Sequence, residues 1–369
     1  MTTTSLLAAE LDAATADIFD RFVATSPFAA YQQSRAWADI APRSKIQDYL
    51  FFLMRDRATP VGAAVIRRSW LAPGTWLATV QRGPVVHDAN ALESVLSALM
   101  AALRAQGCCT VQLAPRVRGR DVPIMAEALR ATGFAPLPEA RRPLHDTTGI
   151  VWLDKPETEI LAGFKQRGRR QIKAADKAGV IVRNAVSADD IAAYQTILDA
   201  FRLAKPDYDM GGLPDAAGQA ALIDRLGGAM LLAEFDGRPI GGHAFVRQAD
   251  EAIWLSLATS NDHPAIARSY PLLWQGMRLA REQGCIGYDL AGMPIADPRD
   301  AGEAKRMQFK TAFAPTRRIM PPMQIAALKP VQHMLFFGAR QAYRNSGLRK
   351  RMSVIARGRR RTKAAHVDG

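Results

Sequence analysis

The sequence predicts an α+β protein made of two tandem domains of one design, each a mixed sheet covered by helices. Three observations carry this. The stretch RAQGCCTVQLA (104–114) returns as REQGCIGYDLA (281–291), 177 positions later, with Arg, Gln, Gly, Cys, Leu and Ala in register. TPVGAAVIRR, starting at Thr59, returns as RPIGGHAFVRQ, starting at Arg238, with Pro60/Pro239 and Gly62/Gly241 offset by 179. TWLATVQRG around Trp76 faces IWLSLATSN around Trp254 at an offset of 178. Near-constant offsets of this kind mark an internal duplication. A chain of 369 residues also exceeds one ordinary core. The expected division is a first domain over 1–149, a second over 150–335 and a basic tail over 336–369.

Each element follows from periodicity. LDAATADIFDRFV reads as an opening helix. YLFFLMRD and VGAAVIRR are apolar runs split by a polar turn with Pro60, which is a hairpin, and TWLATVQ is a third strand. ALESVLSALMAALRAQG spaces its apolar residues by three and four and stops at Gly107, a helix of about fifteen residues. TVQLAP is the next strand, MAEALRATGF a helix, and the residues after Pro136 an edge segment. The second copy repeats the order: helix DIAAYQTILDAF, hairpin MLLAEFDGRPIGGHAFV, strand AIWLSLAT, helix YPLLWQGMRLAREQG and strand IGYDLAG. Helices covering mixed sheets give the α+β class.

Composition removes several function classes. No run of about eighteen uncharged apolar residues exists, so no transmembrane helix is expected. The start, MTTTSLLAAELDAATADIFD, lacks a basic n-region and argues for a cytoplasmic protein. Cys108, Cys109 and Cys285 lack the spacing of a zinc site or a disulfide framework and read as buried small hydrophobes; no metal site is expected. The formal charge of +14 is concentrated, because Arg340 to Lys363 holds ten basic residues and no acid. That tail suits an RNA backbone or an anionic membrane surface, or is simply a solvated terminus. A second basic run, KQRGRRQIKAADKAG (165–179), has six cations and one acid and opens a helix that faces tRNA, lipid headgroups or only water.

The order of elements suits two tandem GNAT-like acyltransferase domains, and the motifs narrow it further. YQQSRAW (31–37), QRGPVV (81–86), LRATGF (129–134), FKQRGRRQIKAADKAGVIV (164–182) and the run from Tyr270 through Trp274, Tyr288, Asp289 and Gly292 to QFKTAF occur in sequence along nearly the whole chain. In these motifs the chain resembles the FemABX family of peptidoglycan aminoacyltransferases. The resemblance implies transfer of an amino acid from aminoacyl-tRNA to an amine of a peptidoglycan precursor stem peptide, with no cofactor beyond the charged tRNA. It also implies a substrate channel at or beside the junction of the two domains.

Aminolysis of an activated ester needs positioning, removal of a proton from the amine and stabilisation of an oxyanion. No serine or cysteine sits in a recognisable nucleophile elbow. By the resemblance, Lys310 in QFKTAF offers an ammonium to the oxyanion or to phosphate, and Phe309 offers a stacking face to the terminal adenine. The family's aspartate after RGPV falls at His87, with Asp88 next, so either takes the proton; alternatively Asp88 caps the helix that follows. Arg43 and Lys45 lie in the neighbourhood where the family places a precursor-binding lysine, without matching its exact position, and Arg202, Lys205 and Tyr208, which follow a helix of the second copy, are candidates to line the same channel. Ser256 stands where the family tends to have an aromatic residue on the third strand of that copy. The buried carboxylate expected at Asp289 calls for a partner, with Arg281 or Lys305 as candidates.

The rival reading is an acyl-CoA- or acyl-carrier-dependent N-acyltransferase. Pyrophosphate cradles use glycine-rich loops at helix starts. The segment TSNDHPAIARSYPLLW holds no glycine, which weakens coenzyme A as donor. A catalytically idle RNA or membrane binder is a second class. The expected partners are aminoacyl-tRNA, a nucleotide- or lipid-linked muropeptide and peripheral contact with the inner membrane, for a chain acting as a monomer.

Overall fold

The computed structural model describes residues 3–117, 119–138, 146–205, 212–294, 298 and 300–336. The first half runs β1 (Thr3–Ala8), α1 (Ala13–Thr25), α2 (Arg35–Ile40), β2 (Gln47–Asp56), β3 (Thr59–Ala72), β4 (Thr75–Gln81), α3 (Leu92–Ala105), β5 (Cys108–Ala114), α4 (Asp121–Ala131) and β6 (Ala135–Pro136). Then come β7 (Thr147–Trp152), α5 (Glu157–Gly163), α6 (Gln166–Lys177), β8 (Ile181–Asn184), α7 (Ala188–Ala204), α8 (Ala216–Leu226), β9 (Gly228–Phe235), β10 (Arg238–Gln248) and β11 (Glu251–Thr259). The chain closes with α9 (Ser269–Glu282), β12 (Gly287–Gly292), α10 (Ala301–Thr311), β13 (Thr316–Ile319) and β14 (Gln324–Ala327).

Local chemistry fixes the helix limits. Asp12 caps α1 by accepting from the Thr15 amide (2.9 Å), and Ser187 with Asp190 closes a reciprocal capping box on α7. In α3, Leu92, Val95, Leu96, Leu99 and Leu103 form the buried stripe that the three-and-four spacing predicts. The glycine stops Gly107 and Gly284 both take positive φ, 79° and 84°, as a helix-to-strand junction requires. The duplicated junction is therefore duplicated in conformation.

Two seven-stranded mixed sheets result, in the orders β1-β2-β3-β4-β5-β14-β6 and β13-β7-β12-β11-β10-β9-β8. The two halves repeat hairpin, strand, helix and parallel strand, as the α+β tandem reading predicts. One strand departs from the sequence division. β14, placed by sequence with the second half, pairs with β5 and β6 of the first sheet, Ala327 opposite Thr110 and Ile325 opposite Ala135. A four-residue strand carries too little alternation for its sheet to be read from sequence.

The halves share a core. Phe51, Leu53, Ala63 and Val65 of the first sheet and Tyr194, Ile197, Leu232, Ala244 and Leu255 of the second half belong to one buried cluster. Separate clusters lie under α3 and α4, and around α9 and α10. At the seam the Glu251 carboxylate, almost fully buried, accepts from Arg116 of the first half and from both terminal nitrogens of Arg318 (2.9 and 2.5 Å). The three cysteines are free and buried, in keeping with their reading as small hydrophobes.

Candidate active site

Lys310 sits on the last turn of α10, a helix started by Asp300 accepting from the Glu303 amide (2.7 Å). Its ammonium donates to the Gly292 carbonyl at the end of β12 (2.8 Å) and lies 4.9 Å from the centre of the Trp254 ring on β11. Lys310 thus bridges a fork. The parallel strands β11 and β12 pair only from Glu251–Gly287 to Ile253–Asp289, although β11 runs on to Thr259. In the first copy the equivalent strands β4 and β5 are paired from Trp76–Cys108 to Gln81–Ala114, and that fork is closed.

A bulge sets the fork. Pairing between β12 and β7 shifts register between Asp289 and Gly292, and Ala291 takes φ 60°, a conformation that costs a residue with a Cβ about 1 kcal/mol or more. Buried Asp289 holds it, accepting from the Ala291 amide (2.8 Å) and from the Thr148 hydroxyl, which also lies 2.9 Å from the Ala291 carbonyl. The sequence reading sought Arg281 or Lys305 as partners for Asp289. Instead, Arg281 donates to the Lys155 carbonyl (3.0 Å), and the carboxylate is spent on the bulge. Hydroxyl and amide donors serve because they are local to the turn.

Burial pushes the Lys310 ammonium down to about 8; Asp289 opposes that shift and Arg306 adds to it. The first domain contributes Tyr31 and Arg82 to the same electrostatic neighbourhood. Burial raises the Tyr31 phenol and lowers the Arg82 guanidinium, and both groups feel Asp289. Gln33 organises this side by accepting from the Val65 amide (2.9 Å) and donating to the Gln81 carbonyl (2.6 Å). A Cβ on Gly83 would come within 2.6 Å of the Gln33 amide group, so the YQQS and RGPV motifs close on each other. Arg82 itself takes φ 57°. Tyr31, Arg82, Trp254 and Asp289 are the site members that sequence reasoning did not assign. Three of them lie inside motifs it singled out, and Trp254 lies in a repeated strand.

The other candidates are dispersed. Phe309 joins an aromatic cluster, edge-on to Tyr270 (4.8 Å) and Trp254 (6.2 Å), and is half-buried rather than presented as an open face. His87 donates through Nε2 to the Phe22 carbonyl (2.9 Å) and packs against the Phe22 ring (4.4 Å), so it is tied to α1. Asp88 accepts from the Asn90 amide (2.9 Å), capping the turn before α3, which is the alternative the sequence allowed. Arg43, exposed, donates to the Ala38 carbonyl and lies 5.3 Å from the Tyr49 ring; Lys45 is exposed. Arg202 pairs loosely with Asp199 (3.4 Å), and Tyr208 falls outside the described residues. Lys205 lies over Phe201 (4.3 Å); burial, then Arg306 and Lys305, lowers its pKa, so the end of α7 and α10 form one cationic rim.

Ser256, the substrate-binding candidate at the position where the family tends to have an aromatic residue, faces the interior of the second domain. It is buried, donating to Gln219 (2.5 Å) and bonded to the Tyr194 hydroxyl (2.5 Å). Its carbonyl meets Nδ1 of His243 (2.7 Å), whose Nε2 meets the Tyr288 hydroxyl (2.5 Å). Burial pushes His243 down to about 4, so this chain of hydrogen bonds runs through a neutral imidazole inside the second domain.

Residues 14–132 match the FemAB family model, and residues 162–306 match an acetyltransferase (GNAT) domain model. No curated protein matches the sequence. Among solved structures, the crystal structure of FemX is similar with a TM-score of 0.75 and 16% identity, over 91% of this chain and 99% of that one. The C-terminal domain of a putative lysylphosphatidylglycerol synthetase from Agrobacterium fabrum is similar with a TM-score of 0.54 and 14% identity, over 90% of this chain and 98% of that one. A tandem GNAT protein from the clavulanic acid biosynthesis pathway gives 0.51 and 15%, over 89% and 99%. Residues 14–132 are thus similar to the FemAB family and residues 162–306 to an acetyltransferase domain, and the two sheets with their duplicated junction give the chain the fold of two GNAT-like acyltransferase domains in tandem.

Proposed function

We propose that the protein transfers an amino acid from aminoacyl-tRNA to an amine of a peptidoglycan precursor stem peptide. The observation that carries this is Lys310, an ammonium held in the open fork between β11 and β12 beside the domain seam. The neutral amine attacks the ester carbonyl, and negative charge gathers on the carbonyl oxygen. The Lys310 ammonium, largely out of water, stabilises that oxyanion. As the carbon–nitrogen bond forms, the ester carbon–oxygen bond breaks, and the proton lost by the amine ends on the departing ribose hydroxyl. His87 and Asp88, engaged with α1 and with the α3 turn, are poor candidates for moving that proton, and proximity of amine to leaving group suffices.

A polyanionic donor is supported by α6. Its cations lie on an exposed face, and its start is joined to the end of α10, with the Lys165 amide donating to the Ala312 carbonyl (3.0 Å). The stripe leads toward Lys310. The acyl-CoA reading rests on the GNAT match over 162–306. The β11–α9 connection, however, lacks glycine, and Arg268 before α9 makes no side-chain cap. Purified protein incubated with a charged-tRNA pool and candidate muropeptides should add an aminoacyl mass, read by mass spectrometry. Product formed only from acyl-CoA donors would overturn the proposal in favour of the rival.

A further inference from the structure

β7 begins with two neighbouring threonines that the fold uses differently. Thr147 and Thr148 are both buried, 0 and 3% exposed, on a strand that lies between β12 and β13. Thr148 pairs with Gly292 on one side and with Arg318 on the other. The strand has no slack there, since a Cβ on Gly149 would overlap the Met293 sulfur and come within 3.0 Å of Pro315. The Thr147 hydroxyl has no hydrogen-bond partner among the described residues. The Thr148 hydroxyl donates to the Asp289 carboxylate and lies 2.9 Å from the Ala291 carbonyl. One hydroxyl could be lost without consequence; its neighbour could not.

What Thr148 holds is the backbone beside Lys310. Ala291 stands at φ 60°, a conformation that persists only where its surroundings impose it, and the Asp289 carboxylate imposes it by accepting from the Ala291 amide (2.8 Å). The carbonyl that receives the Lys310 ammonium belongs to Gly292, the next residue (2.8 Å). Without the bulge, β12 is free to continue along β11, and the acceptor of Lys310 moves with it. Asp289 has a second effect. It favours the charged form of Lys310, against burial and against Arg306 on the same helix, while β11 offers the Trp254 ring to the ammonium. The same carboxylate is felt by Tyr31 and Arg82 of the first domain and by Arg318 of β13. Charge and geometry can be separated. Both accepted bonds end on one oxygen, Oδ1, so an asparagine at 289 keeps them and loses only the charge.

We propose that Thr148 and Asp289 are positioning residues for Lys310: the hydroxyl fixes the bulge that presents the Gly292 carbonyl to the ammonium, and the carboxylate supplies the counter-charge. The catalytic consequence rests on Lys310 being the cation of the transfer, so one arm of the test needs no transfer at all. In the full chain labelled with 13C at lysine Cε, the Lys310 signal is identified by its loss in Lys310→Met and titrated from about pH 6 to about pH 11. The wild-type midpoint is expected at about 8. Asp289→Asn should lower it by about one unit or more, and Thr147→Val, which removes only the unpartnered hydroxyl, should leave it in place. In the transfer assay, Thr148→Val should lower kcat about tenfold or more with KM within about twofold, and Thr148→Ser should restore most of the rate. An unmoved midpoint in Asp289→Asn overturns the proposal, and so does a wild-type kcat in Thr148→Val; both outcomes leave the transfer reading intact. A midpoint that falls as expected in a protein that transfers nothing supports the placement of the charge and sinks the transfer reading instead. Where Thr148→Val does not fold, the Asp289 arm decides alone.

Discussion

Replacing Lys310 by Met should leave a protein that is inactive in transfer and yet slightly more stable at neutral pH. The reason is the cost of holding an ammonium where water is scarce. Its pKa falls from the ordinary 10.5 to about 8 because of burial. At about 1.4 kcal/mol per pH unit, a drop of that size costs the fold about 3 kcal/mol whenever the lysine is protonated in both states. Loss of the bond to the Gly292 carbonyl and of the Trp254 contact takes back about 2 kcal/mol. The Met variant should thus gain about 1 kcal/mol at pH 7. The pH dependence is the sharper test. Below about 8 the lysine is charged whether folded or unfolded, and the full cost is present. Between about 8 and 10.5 the folded protein gives up the proton first, so wild-type stability rises with pH while the Met variant has no titrating group at that position. Urea unfolding of both proteins at pH 7 and pH 10 should show the wild type gaining about 2.5 kcal/mol on the variant. A difference between the two proteins that stays constant across that range would refute the desolvated-ammonium argument, whatever the activity.

If Lys310 works as the cation, the transfer rate should fall as pH rises through about 8, and Lys310→Arg should remove that alkaline limb from the pH–rate profile while lowering the rate itself. Glu251→Gln leaves Arg116 and Arg318 buried without a counter-charge and should cost about 3 kcal/mol or more in urea unfolding, whereas an apolar replacement of all three should be near neutral. Ser256→Ala strips a partner from Tyr194 and Gln219 and should cost about 1–3 kcal/mol with the acyl-donor preference unchanged, measured by thermal melts and donor competition. Arg170→Glu with Lys173→Glu on α6 should weaken tRNA binding and flatten its log-affinity against log-salt slope by about 2.

Elements that recur were legible in the sequence, and elements that close the structure were not. The hairpins, β4, β11, α3 and α9 announce themselves because each buries one face and keeps its period for seven or more residues. β1, β7, β13 and β14 lie on sheet edges or cross between copies, where partners rather than periodicity decide the pairing. The site follows the same division. Lys310 was legible through its motif. The fork that gives it meaning was not, because it depends on a left-handed Ala291, a buried Asp289 and a threonine 141 positions away. The surroundings of Ser256 were illegible for a related reason: its partners come from α7 and α8, and nothing in the strand itself says that helices will cover it.

The proposal that the second copy carries the chemistry and the first does not is supported by how the two copies diverge. TGFAP (132–136) and TAFAP (311–315) align at an offset of 179, which sets Ala131 against Lys310. In the first copy Trp76 meets a cation from its own sheet, Arg68, and β4 and β5 stay paired to their ends. In the second, Trp254 meets Lys310 from the following helix, and β12 is drawn off β11 toward β7 by the bulge. The sequence match sets Trp76 against Trp254, but Trp76 pairs with the first residue of β5, Cys108, whereas Trp254 lies just past the last β11–β12 pair, Ile253–Asp289, beside the open gap. The first copy has kept the fold and given its surface to the seam, through Tyr31, Arg82 and Arg116. Placing a lysine at Ala131 would accordingly create no second site, because no separation of strands waits beneath it; an Ala131→Lys, Lys310→Met double variant should remain as inactive as Lys310→Met alone in the mass-spectrometric transfer assay, and recovery of transfer would show that the fork is not what the ammonium requires.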